Sequence, residues 1–408
     1  MSKSRFLNFL LAFSIAGSCV GFSQAPSNAS HWVGAWAAAP SFLQNTGGLF
    51  ANDTTIREIV HVSQGGESIR IVLTNELGSE VQRLRIGGAT IAVSNRNGNI
   101  NPSEAVNLTF AGKSETVIAP QAQVVSDPIH LTVEPNSDLA VSIYVPGQKI
   151  DTLTYHKLAQ QDNFLAAGND LTAPILPNPT TVTEWYFLKG IEVSKDKDAA
   201  AIVCLGDSIT DGFRSTIGAN DRWPNILFDR LQSEGDKREF SVLDLGIGGN
   251  RVLETGVGPN ALSRFDRDVI AQAAPKYLIV LEGINDIGLG YRTTDPLPYP
   301  PTAEDLIAGY EQIVTRAHAH NIVVYGATLL PYKGAPYYSD AGEKVRQTVN
   351  AWIRSSGAFD RVIDFDAVMR DPQNPLSLNP KYSSVDHLHP NDEGYKAMGD
   401  SISLDLFN

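Results

Sequence analysis

The sequence predicts a chain built in two halves. An antiparallel β-sandwich or jelly roll comes first, and an α/β domain with a parallel sheet between helical layers follows. Two observations carry this reading. From about His31 to Val193, short β-branched runs alternate with polar turns, and no helix-length periodic segment stands out. After the polar stretch Ser194-Lys195-Asp196-Lys197-Asp198, strand and helix patterns alternate, as they do when parallel strands are joined by crossover helices. A chain of 408 residues has room for two or three domains.

Residues 1–25 read as an export signal. Lys3 and Arg5 precede an apolar stretch from Phe6 to about Phe22, and Ser23-Gln24-Ala25 supplies small residues for cleavage. The stretch is short for a membrane span. Ala16-Gly17-Ser18-Cys19 offers a second reading, a lipoprotein anchor through Cys19, with Ala16 where a larger aliphatic residue is usual. The mature chain is therefore expected to be secreted or periplasmic, with no integral membrane span. Only Cys204 would remain, so an intramolecular disulfide is excluded. In its apolar run Cys204 reads as a buried, inert thiol.

The β-rich region is assigned to residues 26–193. Ile56–Ser63 and Ser68–Thr74 flank Gln64-Gly65-Gly66-Glu67, a pattern that predicts a hairpin. Further strands are expected at Leu84–Ile86, Ala89–Val93, Val106–Phe110, Ile129–Val133 and Leu139–Val145, separated by clusters such as Asn95-Arg96-Asn97-Gly98. The α/β region is assigned to residues 199–408. Its strands are expected at Ala200–Leu205, Phe240–Leu245, Tyr277–Leu281, Ile322–Thr328 and Arg361–Phe365. Its helices are expected at Arg222–Glu234, Thr302–His320, Gly342–Ser355 and Asp392–Leu406, the first with Asp221 as cap and Pro224 in its first turn. The Pro-rich Thr293–Pro301 reads as an irregular loop or the wall of a site.

Composition narrows the partners. A net charge of -13 argues against a nucleic-acid backbone and against docking on anionic lipid. With 42% hydrophobic residues, the chain can build its core without metals or disulfides.

Four segments carry chemistry. Gly206-Asp207-Ser208-Ile209-Thr210-Asp211-Gly212 follows a buried strand and puts a serine where open α/β sheets place ligands. The same residues also suit an ordinary turn with a capping serine. Gly246-Ile247-Gly248-Gly249-Asn250 follows the next strand and leaves backbone N–H groups open to approach. Glu282-Gly283-Ile284-Asn285-Asp286 follows a third and presents the Asn285 amide. Val385-Asp386-His387-Leu388-His389-Pro390 joins a carboxylate to imidazoles just before the last helix.

In this order the four blocks resemble the SGNH hydrolases, also called GDSL esterases and lipases, over roughly residues 199–408. The resemblance implies a flavodoxin-like three-layer domain and carboxyl-ester hydrolysis through an acyl-enzyme, with no cofactor. It implies Ser208 as nucleophile, His389 as base and Asp386 as the carboxylate that completes the triad. It also implies an oxyanion hole made by the N–H groups of Ser208 and Gly249 and the amide of Asn285. Gly248 departs from the serine that many relatives carry before that glycine, and Gly246 and Gly248 stay open as alternatives for the N–H donor. His387 is the rival base, but its side chain should diverge from that of the adjacent Asp386.

A small-molecule or polysaccharide ester is the implied substrate, with O-acetyl or other short-chain esters favoured. Lipid or lysophospholipid esters, thioesters, acyl transfer and a non-catalytic carbohydrate-binding surface protein are the alternatives. The β-rich region resembles those that precede the SGNH domain in some bacterial secreted hydrolases. Its Trp32, Trp36, Trp185 and Tyr186 suit either sugar stacking or core packing. Asp207 and Asp286 read as turn-fixing carboxylates, Asp364 and Asp366 as structural, and Arg222-Trp223-Pro224 as helix-to-sheet packing. The histidines at 31, 61, 130, 156, 318 and 320 share no motif, and no metal site is indicated.

Overall fold

The strand–helix alternation after residue 199 builds one five-stranded parallel sheet in the computed structural model, which describes residues 31–95, 97–233 and 239–407. The expected export signal and Cys19 lie outside the described residues. The strands lie in the order Phe240–Gly246, Ala200–Gly206, Pro275–Leu281, Val323–Ala327, Arg361–Ile363. Numbered along the chain this is 2-1-3-4-5, the flavodoxin-like doubly wound order. Ala200–Gly206 is buried at every position because it has a strand on each side and layers on both faces.

Several helices begin where a side chain can accept the first N–H groups. Thr302 and Asp305 form a capping box for Ala303–Ala319, Ser339 caps Asp340–Ser355 and Asn391 caps Asp392–Ser401. Leu227, Phe228 and Leu231 of Trp223–Ser233, and Leu306, Tyr310 and Ile313 of Ala303–Ala319, turn inward to the shared core.

At two boundaries a separate element replaces the expected continuation. The strand expected to reach Phe365 ends at Ile363, because Asp364 accepts from Ala367 N and caps a short helix, Phe365–Met369. The last helix stops at Ser401 and a 3-10 turn, Leu404–Phe407, follows. Arg230, from the facing helix, donates to the carbonyls of Gly399 and Ile402 and so satisfies the freed end.

Beside a small three-stranded sheet (Trp185–Tyr186, Thr152–His156, Ser41–Gln44) and a two-stranded one, the first half forms two large antiparallel sheets. One joins His31–Ala37, Leu188–Lys195, Gly66–Thr74 and Gln123–Val125. The other runs through Asn163–Ala167, Thr54–Val62, Ser137–Val145 and Gly88–Asn95. Ile56, Val60, Ile69, Ile71, Val141 and Ile191 fill the core they share.

The predicted hairpin does not form. Thr54–Val62 pairs with Ser137–Val145 along its whole length, while Gly66–Thr74 pairs with Leu188–Lys195 in the other sheet. The glycines between them mark a crossing from sheet to sheet. A Cβ on Gly65 would lie 2.2 Å from the carbonyl oxygen of Val133, so the requirement there is close approach and not a two-strand turn.

The aromatic residues that suited sugar stacking lie in the core. Trp36, Trp185 and Tyr186 are buried, Trp36 meets Trp185 edge-on at 4.8 Å, and the Trp185 indole donates to Ile59 O at 3.0 Å. Trp32 is half-buried beneath the Arg70 guanidinium, 4.3 Å from the ring centre.

His31–Ala37 ties the halves together. Val33 and Ala37 belong to the α/β core, whereas Ala35 and Trp36 belong to the sandwich core. Gly34 packs on Leu243 and donates to Ala273 O at 3.1 Å, and Ser63 Oγ accepts from Val242 N at 3.1 Å. Residues His31–Asn408 form one compact unit. Among the described residues, no helix is long and apolar enough to cross a membrane.

Candidate active site

The carboxyl ends of three adjacent strands, Phe240–Gly246, Ala200–Gly206 and Pro275–Leu281, converge on Ser208. The strand Ala200–Gly206 delivers it directly. Asp207 leaves the helical region and its carboxylate accepts from Ile209 N at 2.9 Å, which starts the one-turn helix Ser208–Asp211; Gly212 closes it at φ 84°. Gly206 is required by crowding, since a Cβ there would lie 2.1 Å from Thr210 Oγ1 and 2.6 Å from Leu281 O.

Ser208 is buried to 7% exposure, and its hydroxyl donates to His389 Nε2 at 2.8 Å. The other ring nitrogen, Nδ1, meets Asp386 Oδ2 at 2.9 Å. Ser208 and His389 are 181 residues apart in sequence, and the fold brings them into contact. Phe213 stands edge-on to the imidazole at 4.8 Å and limits its rotation.

Asp386 is saturated. Its Oδ1 accepts from Ser384 Oγ, Leu388 N and His389 N at 2.8, 3.1 and 2.9 Å. Its Oδ2 also faces Arg214 Nε at 3.2 Å. Burial alone would push this carboxyl up. The ring and backbone N–H of His389 and the Ser384 hydroxyl outweigh burial and hold it well below the usual carboxylate range. The rival His387 adopts φ 58° and is exposed, and its backbone N–H donates to Ser384 O.

The glycine turn separates its three candidate donors. Gly246 N donates to Asp244 Oδ1 and Gly248 N to Asp211 Oδ2, each at 2.9 Å. Gly249, at φ 76°, and Ser208 have backbone N–H groups with no protein acceptor among the described residues. Asn285 sits in the first turn of the helix Ile284–Tyr291. Its Nδ2 donates one hydrogen to Asn250 O at 3.0 Å, and its Oδ1 accepts from the Tyr337 hydroxyl at 3.1 Å. The amide orientation is thereby fixed, and one N–H remains for a ligand.

Asp286 holds the far side of the turn, accepting from Val252 N at 2.8 Å and Leu253 N at 3.1 Å. Burial raises its carboxyl to about 6 against those hydrogen bonds. Burial likewise raises Asp207 to about 7, helped by the charges of Asp286 and Asp211.

Three contributors carried no sequence motif. Arg264, fully buried on the short helix Ala261–Phe265, donates to Gly206 O, Leu245 O and Asn250 Oδ1, at 2.9, 2.7 and 2.9 Å. It thus joins the strand ends that carry Ser208 and the glycine turn. Tyr337 orients Asn285 from a loop. His156, from Thr152–His156 in the small three-stranded sheet of the β-rich half, contacts Asp211 Oδ1 at 3.0 Å. Only long-range contacts reveal these residues.

The remaining expectations place simply. Asp364 and Asp366 bind Arg354, with Arg346 and Arg370 also on Asp366. Trp223 is buried at the start of its helix, and Arg222 Nε donates to Asp211 O at 3.0 Å. Cys204 is buried, and burial pushes its thiol up. Thr293–Pro301 is irregular, with Tyr299 exposed. Among the described residues, no group of three or more His, Cys, Asp or Glu is placed to hold a metal ion.

Residues 204–397 match the GDSL-like Lipase/Acylhydrolase family. Solved structures of the same kind align with the chain. A GDSL-like lipase from Bacteroides thetaiotaomicron VPI-5482 is 23% identical, over 49% of this chain and 84% of that one, with a TM-score of 0.37. A catalytic mutant of an acetylxylan esterase from Geobacillus stearothermophilus is 21% identical, over 50% of this chain and 91% of its own, with a TM-score of 0.39. No curated protein matches the chain. The match places residues 204–397 with the GDSL-like lipases and acylhydrolases, and it indicates a serine ester hydrolase.

Proposed function

We propose that the chain is an exported carboxyl-ester hydrolase in which Ser208, His389 and Asp386 form the catalytic triad, acting on short-chain or O-acetyl esters, including those of carbohydrates. The observation that carries this reading is the continuous path from Ser208 Oγ through both nitrogens of His389 to Asp386, at 2.8 and 2.9 Å. His389 Nε2 takes the hydroxyl proton as Oγ attacks the ester carbonyl carbon. Asp386 keeps the second proton on Nδ1 and balances the imidazolium that forms. The carbonyl oxygen becomes an alkoxide, bound by the N–H groups of Ser208 and Gly249 and the free N–H of Asn285.

Collapse of the tetrahedral intermediate breaks the C–O bond to the alcohol, which leaves with the proton from Nε2. Water then repeats the sequence on the acyl-serine: His389 removes its proton, the carboxylic acid departs, and Oγ regains hydrogen.

Short acyl groups fit the surroundings of the donors. Leu158 crowds Gly248, and Val257 stands 3.2 Å from where a Cβ of Gly249 would be. Export rests on the residues of the leader alone. The burial of Trp36, Trp185 and Tyr186 favours a wall over a sugar-binding module for the β-rich half.

Turnover of p-nitrophenyl esters across acyl lengths tests the proposal. Activity that peaks at acetate or butyrate and disappears in Ser208→Ala is expected. A peak at long acyl chains would make the chain a lipase, and activity retained in Ser208→Ala would remove the proposed nucleophile.

A further inference from the structure

We infer that His156, a side chain of the β-rich half, is a positioning residue for the ester-cleaving site: through Asp211 it holds the Gly248–Gly249 turn so that the Gly249 N–H stays open to the substrate. This inference rests on the proposed triad and oxyanion hole and adds to them a contribution from the other half of the chain.

The path is short and buried. His156 Nε2 meets Asp211 Oδ1 at 3.0 Å, and Asp211 Oδ2 accepts from Gly248 N at 2.9 Å. Asp211 stands three residues beyond Ser208, and Gly248 directly precedes Gly249. One carboxylate therefore ties the nucleophile's helix to the turn that carries the second oxyanion donor. It also occupies the Gly248 N–H, so the Gly249 N–H is left as the open one. Both histidine and aspartate are buried, with side chains 5% exposed.

The partners of His156 define its charge. Nδ1 lies 2.9 Å from Ala39 O, which can only accept. Nε2 faces a carboxylate. With acceptors on both sides, each nitrogen carries a proton, so the ring is an imidazolium paired with Asp211. Burial alone would lower the ring's pKa, but the Asp211 charge and hydrogen bond, together with Ala39 O and Asp244, raise it. The Trp185 ring packs against the imidazole at 5.5 Å and restricts it from the sandwich side.

The residues following His156 extend these contacts with the α/β half. Leu158 Cδ1 lies 2.4 Å from the position a Cβ on Gly248 would take, so this leucine fills the space that a serine side chain would need there. Ala159 O accepts from Arg222, and Gln160 Nε2 donates to Gly212 O at 3.1 Å. The lack of a side chain at 248 is thus matched by a side chain from the β-rich half.

Steady-state kinetics on p-nitrophenyl acetate with His156→Phe and His156→Gln test this. Phenylalanine keeps the ring's bulk and removes both donors; glutamine restores one. A misplaced turn loses alignment but not ground-state binding, so kcat of the folded His156→Phe should fall about 10–100-fold with KM within about threefold. His156→Gln should lie between it and wild type. A kcat within twofold of wild type, or a raised KM at full kcat, overturns the inference. If His156→Phe does not fold, His156→Gln decides: a threefold or greater loss in kcat at constant KM supports it, and unchanged kcat overturns it. Failure of the underlying reading is distinguishable, because it would appear as wild type without ester turnover or as an active Ser208→Ala.

Discussion

Replacing Asp386 by asparagine should be more damaging than its near-identical shape suggests. The two carboxylate oxygens do different jobs. Oδ1 accepts from Ser384 Oγ and from two backbone N–H groups, Leu388 and His389, which can only donate. In Asp386→Asn the amide oxygen must take that place. An NH2 turned toward those two donors would leave them unpaired, at about 1–3 kcal/mol each. The new NH2 therefore occupies the Oδ2 position, 2.9 Å from His389 Nδ1, where the only bond lost is that from Arg214, whose exposed guanidinium can turn to water. It donates to Nδ1 and forces the single imidazole proton onto Nε2, the nitrogen 2.8 Å from Ser208 Oγ. The base is then already protonated on the face that must accept.

A loss of about 10⁴ in kcat is expected, about 5.5 kcal/mol in the barrier. Asp386→Ala leaves Nδ1 free and both tautomers accessible, so it should lose only about 10²–10³. The assay is p-nitrophenyl acetate turnover from pH 6 to 9, with circular dichroism as a control for folding. An Asp386→Asn enzyme retaining more than a tenth of wild-type kcat, or one clearly more active than Asp386→Ala, would refute the tautomer argument.

Other outcomes follow from the same geometry. Asn285→Ala removes one oxyanion donor and should lower kcat by about 10²–10³, while Tyr337→Phe, which only frees the amide to rotate, should cost about 3–10-fold; equal losses would mean that Tyr337 contacts the substrate itself. His389→Ala should abolish turnover and His387→Ala should leave it near wild type, as read by the same ester assay; the reverse would reassign the base. Asp244 is raised to about 7, first by burial and then by the Asp211 charge, and its Oδ2 accepts no hydrogen bond among the described residues. Its folded pKa lies above the unfolded value, so its stabilising proton is fully held below about pH 4 and is lost as pH rises through about 7. Asp244→Asn keeps an acceptor for Gly246 N and lacks that loss, so urea unfolding at pH 8 should show it more stable than wild type by about 2–4 kcal/mol, with the gap closing toward pH 4. A variant no more stable at pH 8 would contradict the assignment.

The candidate site was more legible in the sequence than the contacts that surround it. Ser208, Gly249, Asn285, Asp386 and His389 each follow a strand or precede a helix whose local signal is strong, so their blocks can be read without knowing what touches what. Their distances could not be read, since Ser208 and His389 meet only when the sheet and the last helix are assembled. The Gln64–Glu67 glycines misled because local turn chemistry does not say which strand a strand will pair with. Inward-facing Ile56 and Val60 on one side, and Ile69 and Ile71 on the other, satisfy two opposed sheets better than a two-stranded ribbon. His156 and Arg264 were illegible for a different reason. Each is a single polar residue in an unremarkable stretch, and its meaning comes from partners 55 and 58 residues away, Asp211 and the Gly206 carbonyl.

Every step proposed above depends on Ser208, primed by His389, as the nucleophile. Treatment of the active protein with diethyl p-nitrophenyl phosphate, followed by peptide mass spectrometry, tests it most directly. Attack by Oγ on phosphorus expels p-nitrophenolate and leaves a stable phosphate ester that mimics the tetrahedral intermediate. One p-nitrophenolate should be released per chain, with complete loss of ester turnover and the diethylphosphoryl group on Ser208, and no adduct should form in His389→Ala. Full inactivation with the label on another residue, or undiminished turnover after treatment, would contradict it.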